Sequence, residues 1–281
     1  MSRIDLATRV FWRARGRKVD LAGTHKWLSG IKTNSSTVGA TWVDEAAREV
    51  RGVVQNDRSD AGLLADMSTL DGPRFDSTQL HPAVRSFYEQ TTRWRMEVWA
   101  EWNSLFQPAG QMIAHYFGRR VQQLAIPTRP LDVARGMESE VAVIADANGK
   151  QVAAAWIRKL RATGEFVYSG CYRTQRLPGT HQPSVHVTFP LEDGNIQVFL
   201  QPAVGAGGSL LLGSKRGVFG DNGAYIVVVD DQHGAHAMRV PLHEAFRVFV
   251  DSEGVLRTDH LLRLGGANVV RLHYRMSQVT G

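Results

Sequence analysis

Residues 269–276 read VVRLHYRM, and their alternation is typical of a β-strand. Apolar side chains occupy every second position and basic side chains lie between them: Val270, Leu272, Tyr274 and Met276 against Arg271, His273 and Arg275. Successive side chains of a strand point to opposite faces of the sheet. The segment therefore predicts a strand with one buried face.

The same alternation recurs through the preceding half of the chain. It appears in EFVYSGCYR (165–173), VHVTFPL (185–191), NIQVFLQP (195–202), AYIVVVD (224–230) and FRVFVDSEG (246–254). Short turn signals separate these runs, at DANG (146–149), EDGN (192–195), DNG (221–223), DSEG (251–254) and GGAN (265–268). No helical crossovers lie between them, which disfavours a parallel sheet. We expect an antiparallel, strongly curved sheet or barrel.

The region before residue 136 has a different pattern. WVDEAAREVRGVV (42–54), FYEQTTRWRMEVWAEW (87–102) and PAGQMIAHYFGRRVQQL (108–124) read as helices. At 100° per residue, Phe87, Trp94, Val98 and Trp102 share one face, opposite a charge ladder of Arg85, Glu89, Arg93 and Glu97. Arg95 falls within the apolar face, where a buried guanidinium needs a carboxylate, a tryptophan ring or a ligand as partner. Alternatively, its long side chain could reach solvent at the edge of the contact.

Composition and charge restrict the class of protein. The chain has 281 residues, 43% of them hydrophobic, and a single cysteine, Cys171. It has no apolar run of membrane-spanning length and no secretory leader pattern, so we expect a cytoplasmic protein. The net charge of +6 is concentrated at the start, where residues 1–26 hold seven Lys or Arg against two Asp. Such a basic arm can contact anionic lipid or nucleic acid, or remain solvated.

These features predict an α+β fold, with N-terminal helices packed on the antiparallel sheet. We expect a basic, poorly ordered arm over 1–42, a helical segment over 43–135 and a β segment over 136–281. Residues 43–281 would form one folded domain. The oligomeric state stays open, because the tryptophan-rich segment could instead form a subunit interface.

Motifs for cofactors and metals are weak. VGAGGSLLLGSKRG (204–217) lacks the spacing of a phosphate loop and reads as turns. His233 and His236, near Asp230 and Asp231, lie in a predicted hairpin tip, and we predict neither a metal nor a cofactor. Asp259 and His260 are adjacent, so they point to opposite faces and cannot form a dyad. Cys171 is expected to be a buried, inert thiol.

Aromatic residues on alternating strand positions suggest a ligand cavity. We predict a hydrophobic or amphipathic small molecule inside the barrel, with an anionic group paired to Arg95. The predicted ligand-binding residues are Arg95, Trp99, Trp156, Tyr168, Tyr172, Tyr225 and Tyr274, with Phe246 on the same side. The same pattern also fits a filled core. An enzyme using this cavity would need an inward-facing acid or base, for which His186, His273 and Glu165 are the candidates.

Several segments carry a resemblance to known proteins. LHPAVRSFYEQTTRWRMEVWAEW (80–102), RRVQQLAIP (119–127), RGMESEV (135–141), YSGCYR (168–173), FGDNGAYIV (219–227) and VFVDSEGVLRTDHLLRL (248–264) with LHYRM (272–276) resemble an uncharacterised family of bacterial proteins. The resemblance covers roughly residues 60–276 and implies no activity and no site residues. In outline, the element order is similar to lipocalin-like and helix-grip proteins, which implies a barrel that binds apolar small molecules.

Overall fold

A computed structural model describes residues 10–33, 38–56, 58–104, 106, 136–230 and 232–279. It contains the helices α1 (Trp42–Glu49) and α2 (Pro82–Glu89), and residues 10–15 are also helical. Fourteen strands make up most of the rest. They are β1 (Arg17–Val19), β2 (Val53–Gln55), β3 (Trp94–Trp102), β4 (Met137–Ala145), β5 (Gln151–Leu160), β6 (Phe166–Arg176), β7 (Pro183–Leu191), β8 (Gly194–Gly205), β9 (Ser209–Gly213), β10 (Gly223–Asp230), β11 (Gly234–Val240), β12 (Leu242–Val250), β13 (Leu256–Leu264) and β14 (Ala267–Gln278).

The strands form one antiparallel sheet, which confirms the predicted strand arrangement. Its order is β2-β4-β5-β6-β7-β8-β9-β12-β13-β14-β3, so most neighbours are consecutive strands joined by hairpins. The sheet branches at β8, whose first half pairs with β10 and whose second half pairs with β9. β10 continues through β11 to β1. The order is open, running from β2 to β3, so the predicted closure into a barrel is not observed.

Residues 94–102, predicted as helix, form strand β3, and that prediction is wrong. Only 82–89 of this region is α-helical, followed by a short 3₁₀ turn over Thr91–Arg93. The sequence WRMEVWAEW also has a period of two, and β3 pairs along its whole length with β14. That long-range pairing decides the conformation, because it satisfies the backbone of both strands. The α+β description is therefore confirmed only in part.

The other predicted helices have different outcomes. The helix expected over 42–54 ends at Glu49, and residues 53–55 turn back as β2 to pair with β4. The helix expected over 108–124 lies outside the described residues. In the portion of the chain that the structure describes, no helix combines the length and apolar character needed to cross a membrane.

Both faces of the sheet carry apolar layers. The main core lies on one face, which we call the inner face, where α2 and residues 61–80 cover the sheet. On the opposite, outer face, α1 packs against β4, β5 and β6. Further along the outer face, the segment around Trp27 and Leu28 packs against β8 and β10, and Val19 of β1, the strand that pairs with β11, joins the same apolar cluster. Part of the segment that was expected to be a loose basic arm is thus packed on the sheet.

Candidate functional site

A cavity of about 1640 Å³, partly open to solvent, lies against the strands β8, β9, β12, β13, β14 and β3. We call it the outer groove. Five residues in register across five strands form a row along its floor: Leu211, Arg247, Asp259, His273 and Trp99. Adjoining loops also line the outer groove, through residues 73–74, 177–182, 214–216 and 220–222. Because the row follows the strand pairing, its side chains share one face of the sheet.

The floor of the outer groove places an exposed tryptophan ring beside a hydrogen-bonded histidine–aspartate pair. Trp99 is 50% exposed, a large fraction for tryptophan, and its ring centroid lies 6.1 Å from that of His273. His273 Nδ1 lies 2.7 Å from Asp259 Oδ1, so an Nδ1–H tautomer donates to the carboxylate. Arg247 stacks over the Phe249 ring at 4.4 Å.

The outer groove has more basic than acidic groups along its lining. Its basic side chains are Arg74, Lys215, Arg216, Arg247, Arg263 and Arg271, and its carboxylates are Glu101, Asp221, Glu244 and Asp259. Two of these carboxylates are already paired with histidines, since Glu244 lies 2.8 Å from His260 and Asp259 contacts His273. The groove therefore favours an anionic ligand, and Trp99 offers its apolar part a flat surface.

The His273–Asp259 pair has the base and the orienting carboxylate of acid–base catalysis. Within the described ranges, however, no hydroxyl, thiol or amine is hydrogen-bonded to His273 as a nucleophile would be. Its second ring nitrogen, Nε2, lies 3.5 Å from Arg257 Nη1. The geometry therefore supports binding more directly than a reaction.

Three of the predicted ligand-binding residues meet in the main core on the inner face. The ring of Trp156 lies 5.5 Å from Tyr168 and 5.6 Å from Tyr172, and the two phenol oxygens are 2.8 Å apart. Burial raises the pKa of Tyr168 well above its ordinary value, and Tyr172 adds to that shift. These side chains are packed against one another and against the apolar face of α2, where Phe87 contacts Trp156. They are brought together because β5 and β6 are consecutive strands of one hairpin.

Tyr274 joins this group through Arg158, a residue that the sequence analysis missed. The Arg158 guanidinium lies 5.4 Å from the ring centroids of both Trp156 and Tyr274. A signal was present, since Arg158 is two residues from Trp156 on one strand and so shares its face. The buried arginine is therefore Arg158, whereas Arg95 is exposed on β3.

The remaining predicted residues are distributed elsewhere. Trp99 is on the outer face, in the groove. Tyr225 is fully buried with Trp27 and Phe199, and its hydroxyl donates to the Asp221 carbonyl at 2.6 Å. Of the acid–base candidates, Glu165 is exposed in the β5–β6 turn, and His186 is fully buried in a polar network.

The histidine-containing segment around Asp230 and the glycine-rich stretch around Gly207 form turns in the structure. Asp230 pairs with Arg13 at 2.9 Å and with His233 at 3.0 Å. Residue 231 is outside the described ranges, and among the residues described no group of three or more His, Cys, Asp or Glu side chains is placed to hold a metal. Gly207 and Gly208 adopt positive φ in a short turn between β8 and β9, as expected of a hairpin.

Comparison with known proteins gives one relative. The chain is 26% identical over 226 residues to a protein called Uncharacterized membrane protein YndJ, from Bacillus subtilis (strain 168). The match takes in 80% of this chain but 40% of the relative, so this chain spans less than half of that protein. No family model and no solved structure matches, which leaves the outline similarity to lipocalin-like proteins without support. The chain is thus similar to a bacterial protein whose name states no activity.

Proposed function

We propose that this protein binds an amphipathic, anionic small molecule in the outer groove. The observation that carries the proposal is the half-exposed Trp99, on the floor of a large groove lined by six basic side chains. Ligand sites usually combine an apolar or aromatic surface with a few well-placed polar groups.

The proposal moves the expected ligand from the inside of the sheet to its outer face. Trp156, Tyr168 and Tyr172, which were expected to line an interior cavity, contact one another within the main core. The predicted site combined an arginine charge with aromatic rings. On the outer face, Arg271 provides such a charge and Trp99 such a ring. In the described parts of the chain, no carboxylate forms an ion pair with Arg271, so its charge is available to a ligand.

Titration with 1-anilinonaphthalene-8-sulfonate, an aromatic anion, tests the proposal. Dye fluorescence would give the Kd for the unaltered protein, for Trp99→Ala combined with Arg271→Gln, and for Arg95→Gln. Arg95 is a matched control, because it is an exposed arginine on β3 that does not line the groove. We expect the double variant to bind at least about tenfold more weakly, a loss of about 1.4 kcal/mol.

The control and the salt dependence decide the outcome. Arg95→Gln should leave the Kd unchanged, and rising salt should weaken dye binding to the unaltered protein. Equal dye affinity in the folded double variant and the unaltered protein would refute groove binding.

A second candidate function is contact with an anionic membrane surface through residues 10–18. Val10 and Phe11 are 46% and 48% exposed, and Arg15, Arg17 and Lys18 are exposed beside them. Apolar side chains next to basic ones suit the interface of an anionic bilayer. The Bacillus subtilis relative is called a membrane protein, which is consistent with this candidate.

Vesicle sedimentation distinguishes this candidate from contact with nucleic acid. Binding to phosphatidylglycerol vesicles, but not to neutral phosphatidylcholine vesicles, should be lost in Phe11→Ser combined with Arg15→Gln. Arg95→Gln again serves as the control. If the double variant sediments as well as the unaltered protein, or if only nucleic acid is bound, the membrane candidate is wrong.

A further inference from the structure

Arg158 is a buried cation in an aromatic setting. It lies on β5 with a relative exposure of 5%. The rings of Trp156 and Tyr274 each lie 5.4 Å from the guanidinium carbon. The two rings stabilise the charge by cation–π attraction. The rings do not accept hydrogen bonds from the N–H groups at the edge of the guanidinium.

The hydrogen-bond donors of Arg158 are poorly satisfied. Its Nε is buried and has no hydrogen-bond partner among the described residues. One terminal nitrogen, Nη2, donates to the Met137 sulfur at 3.4 Å, and thioether sulfur is a weak acceptor. Among the residues that the structure describes, no carboxylate forms an ion pair with Arg158. Glu244, whose charge acts on Tyr168 and Tyr172, is already paired with His260 at 2.8 Å.

Two phenols lie close to the same charge. The Tyr168 and Tyr172 hydroxyls are hydrogen-bonded to each other at 2.8 Å, so only one of their two protons is used between them. The other proton can be donated to a further acceptor. Burial raises the pKa of both phenols, and the Arg158 charge, which acts in the opposite direction, is a smaller effect. Both hydroxyls therefore stay protonated near neutral pH and can act as donors.

We infer that Arg158, with the Tyr168 and Tyr172 hydroxyls, forms a binding site for the carboxylate of an organic acid in the main core. A planar carboxylate matches the fork of guanidinium N–H groups and supplies the missing negative charge. A buried cation without an anion is strongly disfavoured, whereas a paired and hydrogen-bonded one is tolerated. This site is on the inner face and does not depend on the outer groove.

Thermal unfolding in sodium acetate, with sodium chloride at equal ionic strength as reference, tests the site. A ligand that binds only the folded state raises Tm with its concentration. Acetate should raise the Tm of the unaltered protein and of Arg95→Met, and should leave the Tm of Arg158→Met unchanged relative to chloride. Arg158→Met should fold, because the substitution removes a buried charge and keeps an apolar side chain of similar length. Arg158→Lys keeps the charge but not the fork, and should need at least about tenfold more acetate for the same rise.

Each result has one interpretation. An acetate-specific rise that requires Arg158 supports the carboxylate site. An equal rise in acetate and chloride would show a site for any small anion and overturn the assignment to carboxylates. No rise in the unaltered protein, or the same rise in Arg158→Met, would overturn the site altogether. If Arg271→Gln removes the rise, the acetate binds in the outer groove, and the result supports the proposed function instead.

Discussion

His186 lies at the centre of a buried polar network between β7 and the segment that covers it. Arg173 Nε donates to His186 Nδ1 at 2.9 Å, which leaves the proton on Nε2 for Gln197 Oε1 at 2.8 Å. Gln197 in turn donates to the Leu28 carbonyl at 2.6 Å. Burial first, and then the neighbouring Arg173 charge, lower the pKa of His186 well below 6.5. The ring is therefore neutral in the folded protein.

A pH dependence of stability follows from this neutral ring. Below pH 6.5 the unfolded chain protonates His186 while the folded protein does not, so the free energy of unfolding should fall as pH falls. The contribution is complete above pH 6.5 and is lost at up to about 1.4 kcal/mol per pH unit below it. Urea unfolding at pH 7.5 and pH 5.0 should show a smaller loss for His186→Asn than for the unaltered protein. Substitution of the exposed His181 should leave the loss unchanged, and an equal loss in His186→Asn would contradict the assignment.

Cys171 should be unreactive while the protein is folded. It is 1% exposed on β6, and burial raises the pKa of its thiol to about 12. The thiolate is the nucleophile in alkylation, so both access and ionisation are suppressed. Iodoacetamide at pH 8 should label Cys171 only in denaturant, as read by intact mass. Rapid and complete labelling of the native protein would show that this strand opens readily.

At the level of elements, local sequence patterns determine some strands and long-range pairing determines others. The hairpins from β4 to β8 and from β12 to β14 follow from alternation and turn residues, which are local signals. The conformation of residues 94–102 could not be decided locally, because Trp94, Val98 and Trp102 fit both periods. Only the pairing with residues 270–278, far along the chain, selects the strand. The same limit applies to the site. Trp156, Tyr168 and Tyr172 were predicted within a larger aromatic set, and they lie together because β5 and β6 form one hairpin. The row from Leu211 to Trp99 depends instead on the strand order.

The segment from Lys26 to Leu28 should be an integral part of the fold. The Trp27 ring lies 5.2 Å from Tyr225 and 5.5 Å from Phe199, with edge-to-face geometry. Trp27→Ala should lower the free energy of unfolding by about 3–5 kcal/mol, because it leaves a cavity among these rings. Trp99→Ala, at an exposed position, should cost less than about 1 kcal/mol. Similar losses for the two variants in urea unfolding would mean that this segment does not stay on the sheet.

At the level of the whole molecule, β8 connects the two branches of the sheet. Residues 194–199 are paired on both sides, with β7 and with β10. β2 has three residues and lies at an edge. Hydrogen exchange followed by mass spectrometry should therefore show the slowest amides in 194–199 and much faster ones in 53–55. Equal protection of the two strands would argue that the sheet opens as one unit.

The pairing of β3 with β14 also sets an order for folding during synthesis. A ribosome makes residues 94–102 long before residues 267–278, yet the latter are the strand partner of the former. The hairpins from β4 to β8 can form as they emerge, whereas β3 must wait with Trp94, Met96 and Val98 uncovered. During that interval the nascent chain exposes an unpaired apolar strand, a common starting point for aggregation. Slowing elongation between these two strands should therefore lower the yield of folded protein more than slowing it after both have been made.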